Sequence, residues 1–320
     1  MKKKLVLNTT MSLLLQVVSV ICGFILPRMI LECYGTEVNG LIQSIAQFLS
    51  VISFMELGVG QVIQSSLYRP LSLGNIESVS NVLKSGDSFF KKLAYALLGY
   101  TAVICIIYPI AFDVKQGRIY TIMLIVAMSI SSFTQYCFGL IDKILLSADQ
   151  KGYIQYAVQI ICNVLNVMVI SYLIYKKCSI QSVKFASAAV FLIGPIIIRC
   201  YINKKYKIDR KIKYDEEPVK QKWNGIAQHI ANVILEGTDI IILTTFSTLS
   251  NVSVYSVYFM VISGVRQLYT SITAGVQSMI GTLWAKNEID NLKDVFLSVE
   301  IILHFMQQER DRPDCTELIP

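Results

Sequence analysis

Residues 199–222 read RCYINKKYKIDRKIKYDEEPVKQK, nine Lys and Arg within 24 residues, and this is the longest charged interval in the chain. Its surroundings are mostly apolar. Six long apolar segments precede it, and two follow, then a third that stops short. The stretch therefore divides the chain into two helical halves, the second shorter than the first.

A helix needs about 20 mostly apolar residues to cross a hydrocarbon core of about 30 Å. Eight segments qualify, at 5–31, 38–67, 89–112, 119–146, 153–175, 183–202, 226–249 and 254–283. Backbone inside a bilayer must satisfy its own hydrogen bonds, which leaves helices or closed barrels. Barrel strands alternate over about ten residues, and these runs are longer and more uniformly apolar. The expected fold is all-α, a polytopic integral membrane helical bundle. Its organisation is a six-helix N-terminal lobe over 1–198, a basic inter-lobe loop at 199–222, a partial second lobe at 223–290, and an incomplete ninth helix with an atypical tail at 291–320.

Composition points the same way. The 320 residues are 54% hydrophobic and 16% charged, against about 25% charged for soluble domains. A formal net charge of +7 raises nucleic acid as a partner, but no nucleic-acid fold accompanies the charge. Anionic membrane lipids at 199–222 account for the basic cluster instead, and no nucleic acid is expected. The eight cysteines form no C-x-x-C pair and there are two histidines, His229 and His304. No metal site and no cofactor are expected from that set. The N-terminus is read as a retained first span rather than a leader, because its apolar stretch continues to Leu31 without a small residue before Cys22.

Lys and Arg counted in alternate loops give twenty on the N-terminal side of the membrane and five on the other. The positive-inside rule then places the N-terminus in the cytoplasm. After Met306 the chain turns to QQERDRPDCTELIP. A helix that begins apolar and becomes abruptly charged does not cross a bilayer, so this tail is expected to be a truncation or frameshift product.

Polar residues inside a span are costly and face a bundle interior or a wet cavity. Stripes recur at helical spacing: Asn8, Ser12, Gln16, Ser19 and Gly23 in the first span, and Asn39, Gln43, Gln47 and Ser50 in the second. The seventh carries His229, Asn232, Glu236 and Asp239, and the eighth carries Ser263, Arg266, Thr270, Thr273 and Gln277. At 1.5 Å per residue, Asp239 and Arg266 fall near the midplane, roughly 20 and 18 Å from their helix ends. A facing ion pair or a hydrated cavity is expected for both. Arg28 lies some 35 Å along the first span, where snorkelling and function are equally open. Glu56 sits deep in the second span beside Gly58 and Gly60, open to a proton-relay or a packing role.

A faint repeat also exists. Aligning Val38 with Val252, an offset of 214, lays TEVNGLIQSIAQFL over SNVSVYSVYFMVIS. The two helices would run in the same direction, making the repeat parallel.

Three motifs carry a resemblance: FILPR, then YGTEVNGL, then ELGVG in the first third, joined by GTDIIILTTF and NVSVYSVYFM in the second half. The chain resembles bacterial polysaccharide flippases of the multidrug/oligosaccharidyl-lipid/polysaccharide exporter superfamily over most of its length to about Glu288. The resemblance implies a two-lobe transporter moving an undecaprenyl-pyrophosphate-linked oligosaccharide repeat unit across the bacterial inner membrane, with the polysaccharide polymerase machinery as a partner. It implies a cationic central cavity, to which Arg28, Arg266, Asn232, Gln16 and Gln43 would contribute substrate contacts. Glu56, His229, Glu236 and Asp239 would couple ions or form structural pairs. About four helices of the family's second lobe are absent. The alternatives are a cation-coupled drug exporter of the same superfamily, a non-functional truncated flippase, and a membrane glycosyltransferase or polymerase. Enzyme signatures such as G-x-S-x-G, a Walker loop or H-E-x-x-H are absent from the sequence, so no enzyme is expected.

Overall fold

The structure, a computed structural model, describes residues 2–50, 54–112, 117–210, 212, 219 and 238–310. Among the described residues there is no strand, and the architecture is an all-helical bundle. The first helix, α1, runs Lys2–Ser50 as two arms joined at Gly35, whose φ of 83° is left-handed. That region is open to glycine and strained for other residues, so Gly35 lets the chain reverse with almost no loop. The 36–50 arm is continued by α2 (Phe54–Leu73), with α3 (Ile76–Ala111) after a turn at Gly74. Asn75 starts α3 by accepting from the Ser78 amide at 2.9 Å, the usual way a short polar side chain satisfies an orphan donor.

Next come α4 (Arg118–Thr134), a π-helical turn (Gln135–Gly139) and α5 (Leu140–Ala148). Helices α6 (Gly152–Tyr175) and α7 (Ile180–Lys205) complete the first six-helix unit. A short helical stretch at 238–246 leads to α8 (Leu249–Ala285) and α9 (Ile289–Arg310). Among the described residues, five helices are long and apolar enough to cross a membrane: Lys4–Ser50, Ile76–Ala111, Arg118–Ala148, Gly152–Tyr175 and Ile180–Lys205. The chain is thus a multi-pass helical membrane protein. The predicted second span falls on the 36–50 arm with α2, the eighth on α8, and most of the seventh lies outside the described residues.

Two apolar cores hold the first unit together. One, at the end where Lys4, Lys151, Lys204 and Lys205 gather, packs Ile63 and Leu67 of α2 against Phe90 and Leu97 of α3, Leu145 of α5 and Ile198 of α7. The other lies at the opposite end. It packs Leu41 and Ile45 against Leu124 and Ile125 of α4, Ile170 of α6 and Val183 of α7. In lipid, apolar burial drives association weakly, because the tails are as apolar as leucine. Close packing and interhelical hydrogen bonds therefore carry the fold. Among the described residues of α8, Leu249 packs half-buried against the second core, and Val252 and Leu283 are buried outside both cores.

The basic stretch begins on helix: α7 continues to Lys205, so Arg199 is its seventh residue from the C-terminal end. Asp142 of α5 is fully buried and takes two guanidiniums from this region. Arg199 Nε donates to one oxygen, and Arg210 Nη2 donates to the other at 2.8 Å. Arg199 Nη2 also reaches the Phe138 carbonyl at 3.1 Å. Beside this, Asp149 accepts from Tyr206 and pairs with Lys151 at 2.5 Å. Burial first, and then this hydrogen bond, push the Tyr206 phenol above the usual tyrosine range. Two of the nine cations are thereby spent on Asp142, and the first lobe holds the start of the loop.

Candidate functional site

Helix α8 lies in a seam against both arms of the N-terminal hairpin. With the 2–34 arm it is antiparallel. A Cβ added at Gly23 would meet Met260 at 3.8 Å, and one at Gly264 would meet Val20 at 3.6 Å. With the 36–50 arm and α2 it is parallel. Asn39 Nδ2 donates to Ser253 Oγ at 2.7 Å, and Gln277 Nε2 donates to Gln61 Oε1 at 2.6 Å. Those two pairs stand 22 residues apart on one strand of the seam and 24 on the other, about 35 Å of helix.

Both ends of the seam are closed by neutral polar contacts. Away from the basic end, Ser250 Oγ reaches Thr36 Oγ1 at 3.3 Å beside the Asn39–Ser253 bond. Gly40 is essential there, since a Cβ would stand 1.7 Å from the Leu249 carbonyl oxygen. At the basic end, Gln150 Nε2 donates to Thr282 Oγ1 at 2.9 Å. Asn8 locks the same corner: its Nδ2 donates to the Gln150 carbonyl at 3.1 Å, and its Oδ1 accepts from the Tyr153 amide at 2.8 Å. The rest of the first stripe faces α6 in part, where Asn163 Nδ2 donates to Ser19 at 3.0 Å.

The predicted site residues separate on this frame. Gln16 is half-buried, one turn before Val20, and Arg266 lies two residues beyond Gly264, which places them at one level of the seam. Gln43 is half-buried, one turn after Asn39 on the seam face of its arm. Arg28 stands apart: its side chain is 80% exposed and pairs with Glu32 one turn on, at 2.9 Å. Asp239 is exposed and accepts from the Tyr255 hydroxyl at 2.5 Å, so its partner is a phenol. Glu56 begins α2, and its side chain is not among those described. His229, Asn232 and Glu236 lie outside the described residues.

A second polar feature escaped the sequence reading. Between the two apolar cores of the first unit lies a cavity of about 430 Å³, lined by Ser50, Ser131, Ser132, Gln135, Tyr136, Lys143, Gln155 and Gln159 on its polar side. Leu49, Met128, Val158, Phe191 and Ile198 form the apolar side. The π turn builds one wall, because its extra residue rotates α5 relative to α4 and brings Gln135 and Tyr136 to the same space. The Gln155–Gln159 spacing and the serines of α4 were visible in the sequence, but Lys143 reads there as a loop cation.

No known protein family's profile matches the chain, and no curated protein matches it. One solved structure, described as "protein A", superposes with a TM-score of 0.63 over 89% of this chain at 14% identity. The chain spans 66% of that structure's length. At this identity the likeness concerns the fold alone.

Proposed function

We propose that the chain belongs to a transporter that flips an undecaprenyl-pyrophosphate-linked oligosaccharide between bilayer leaflets, by rocking a second lobe against the first. The seam along α8 is the observation that carries this reading. The first unit is closed by two apolar cores, whereas α8 meets it along a seam of small residues and a few buried apolar ones such as Val252 and Leu283, with neutral side-chain hydrogen bonds at each end. Such bonds are worth about 0.6 kcal/mol each inside a membrane. The two at one end together contribute on the order of 1 kcal/mol, to which the packing of residues such as Val252 and Leu283 adds. Alternating access requires a boundary of that kind between two otherwise rigid bodies.

The headgroup to be moved is anionic and hydroxyl-rich. Arg266 and Gln16 share a level of the seam, where a cation and an amide suit a diphosphate and a sugar. On this reading the basic end faces the cytoplasm of a bacterium, consistent with the positive-inside rule, and the polymerase machinery takes the product on the other side. The exporter alternative predicts binding of organic cations instead. The deciding experiment deletes the gene in a strain without a second flippase and measures surface polysaccharide. Export that continues unchanged would sink the proposal. Loss of export, restored by the wild-type gene and not by Arg266→Ala, would support it.

A further inference from the structure

We propose that the basic end of the seam holds an anionic phospholipid headgroup, whose phosphate bridges Lys4 of α1 and Lys286 of α8. A pocket of about 250 Å³ lies there between the first unit and α8. Lys4 brings one ammonium from the first turn of α1, and Lys286, at the C-terminal cap of α8, brings the other. Both side chains are exposed. Among the described residues neither ammonium has a hydrogen-bond or ion-pair partner. Asp149 is the acidic residue in this lining, and it is already taken by Lys151 and Tyr206. Gln150 and Thr282 are bonded to each other. Tyr68 accepts from Gln64 at 2.8 Å, and its own hydroxyl proton has no acceptor among the described residues. Three donors from three helices therefore border one space, two of them charged, and the carboxylate beside them is spent elsewhere.

Two like charges on opposite banks of a seam repel, whereas an anion between them turns the repulsion into attraction. A phosphate, with several acceptor oxygens, can take two ammoniums and a phenol at once. The surroundings choose a lipid over a free ion. Trp284, two residues before Lys286, is 70% exposed, and Leu73, next to Ser72 of the pocket, is 71% exposed. A bare indole at this height of α8 marks the headgroup layer, where tryptophan is enriched. The pocket is also open on one side, as a headgroup whose chains stay in the bilayer requires. This site is separate from the basic cluster at 199–222, and it joins the first unit to α8. The inference rests on the chain being a membrane protein and not on flipping.

The test is native mass spectrometry of the full chain in detergent, titrated with phosphatidylglycerol and separately with phosphatidylcholine. One phosphatidylglycerol should stay bound at concentrations where phosphatidylcholine does not. Lys4→Gln and Lys286→Gln should each weaken it about fivefold, the scale of one lysine at an anionic surface. Lys286→Arg should stay within about twofold of wild type, because it keeps the charge and its donors. Lys293, exposed on α9, does not line the pocket. Lys293→Gln should therefore also stay within about twofold, since screening limits a charge outside the site. Equal retention of the two lipids overturns the proposal. So does a loss for Lys293→Gln as large as for the two pocket variants, which would reduce the effect to general surface attraction. Displacement of the bound lipid by excess inorganic phosphate would make the free ion the ligand and overturn it too.

Discussion

Asn39 Nδ2 donates to Ser253 Oγ at 2.7 Å across 214 residues of sequence. That is the offset at which the two halves align, Val38 on Val252, and Ser250 meets Thr36 at the same offset. Equivalent positions of the repeat therefore touch one another. Two parallel helices in register can do this only around a local two-fold relationship between them. In an Asn39→Cys/Ser253→Cys pair, on a background lacking the native cysteines, mild oxidation should join the two helices in most molecules. A 39/257 cysteine pair, one turn out of register, should cross-link several-fold less, as read by protease cleavage in the 199–222 loop and gel mobility. Equal yields would refute the register.

Gly40→Val should act at the same end of the seam. Its side chain would drive the Leu249 carbonyl away from α1, and a backbone has little room to move aside. The expected result is a loss of the 39/253 cross-link with a drop in stability of about 2 kcal/mol, in the range for overpacking. Gly74→Ala is a comparison at a left-handed turn with nothing near the added atom; it should leave the cross-link intact.

Asp142→Asn should be among the most damaging single changes outside the cores. It leaves Arg199 and Arg210 without their carboxylate, and breaking a buried pair from one side costs roughly 3 kcal/mol. Both guanidiniums retain about a quarter of their exposure, which lets water relieve part of that. Melting temperature in detergent is the readout. The Asp142→Asn/Arg199→Gln double variant should lose less than the sum of the two single losses.

The knot around Tyr206 predicts alkaline sensitivity. Its phenol is held above the ordinary tyrosine range, so the neutral form is the one favoured by the fold. Its contribution is then complete below about pH 10, the unfolded value, and is lost as pH climbs toward the higher folded value. A melting profile between pH 8 and 11 should fall more steeply for wild type than for Tyr206→Phe, which has no proton to lose. Parallel curves would show that Asp149 does not hold that proton.

Much of the helix layout was legible in the sequence. The spans at 89–112, 119–146, 153–175 and 183–202 fall on α3, on α4 with α5, on α6 and on α7, because long apolar runs with polar breaks leave the backbone no other solution in lipid. The seam was legible in part, as a faint repeat and as the polar stripes that hold Asn8, Asn39 and Gln277. Thr36, Ser250 and Ser253 are small and neutral and stood in no stripe. Arg28 and Arg266 both read as cavity cations, yet Arg28 is taken by Glu32 a turn away while Arg266 stands beside the seam. Spacing along one helix says nothing about which neighbour a long side chain finds.

What the sequence determined by itself is the class: an all-helical membrane chain, divided by a basic stretch. Hydrophobicity over 20 residues is a local quantity, and the bilayer converts it into a helix without reference to the rest of the chain. What only the tertiary structure decided is who faces whom. Asp142 joins Arg199 and Arg210 from two distant segments. The π turn directs Gln135 into a cavity shared with Ser50 and Phe191, and Gly40 admits the Leu249 carbonyl. These are contacts between elements far apart in sequence, set by crossing geometry and close packing, and no window of the chain contains both partners.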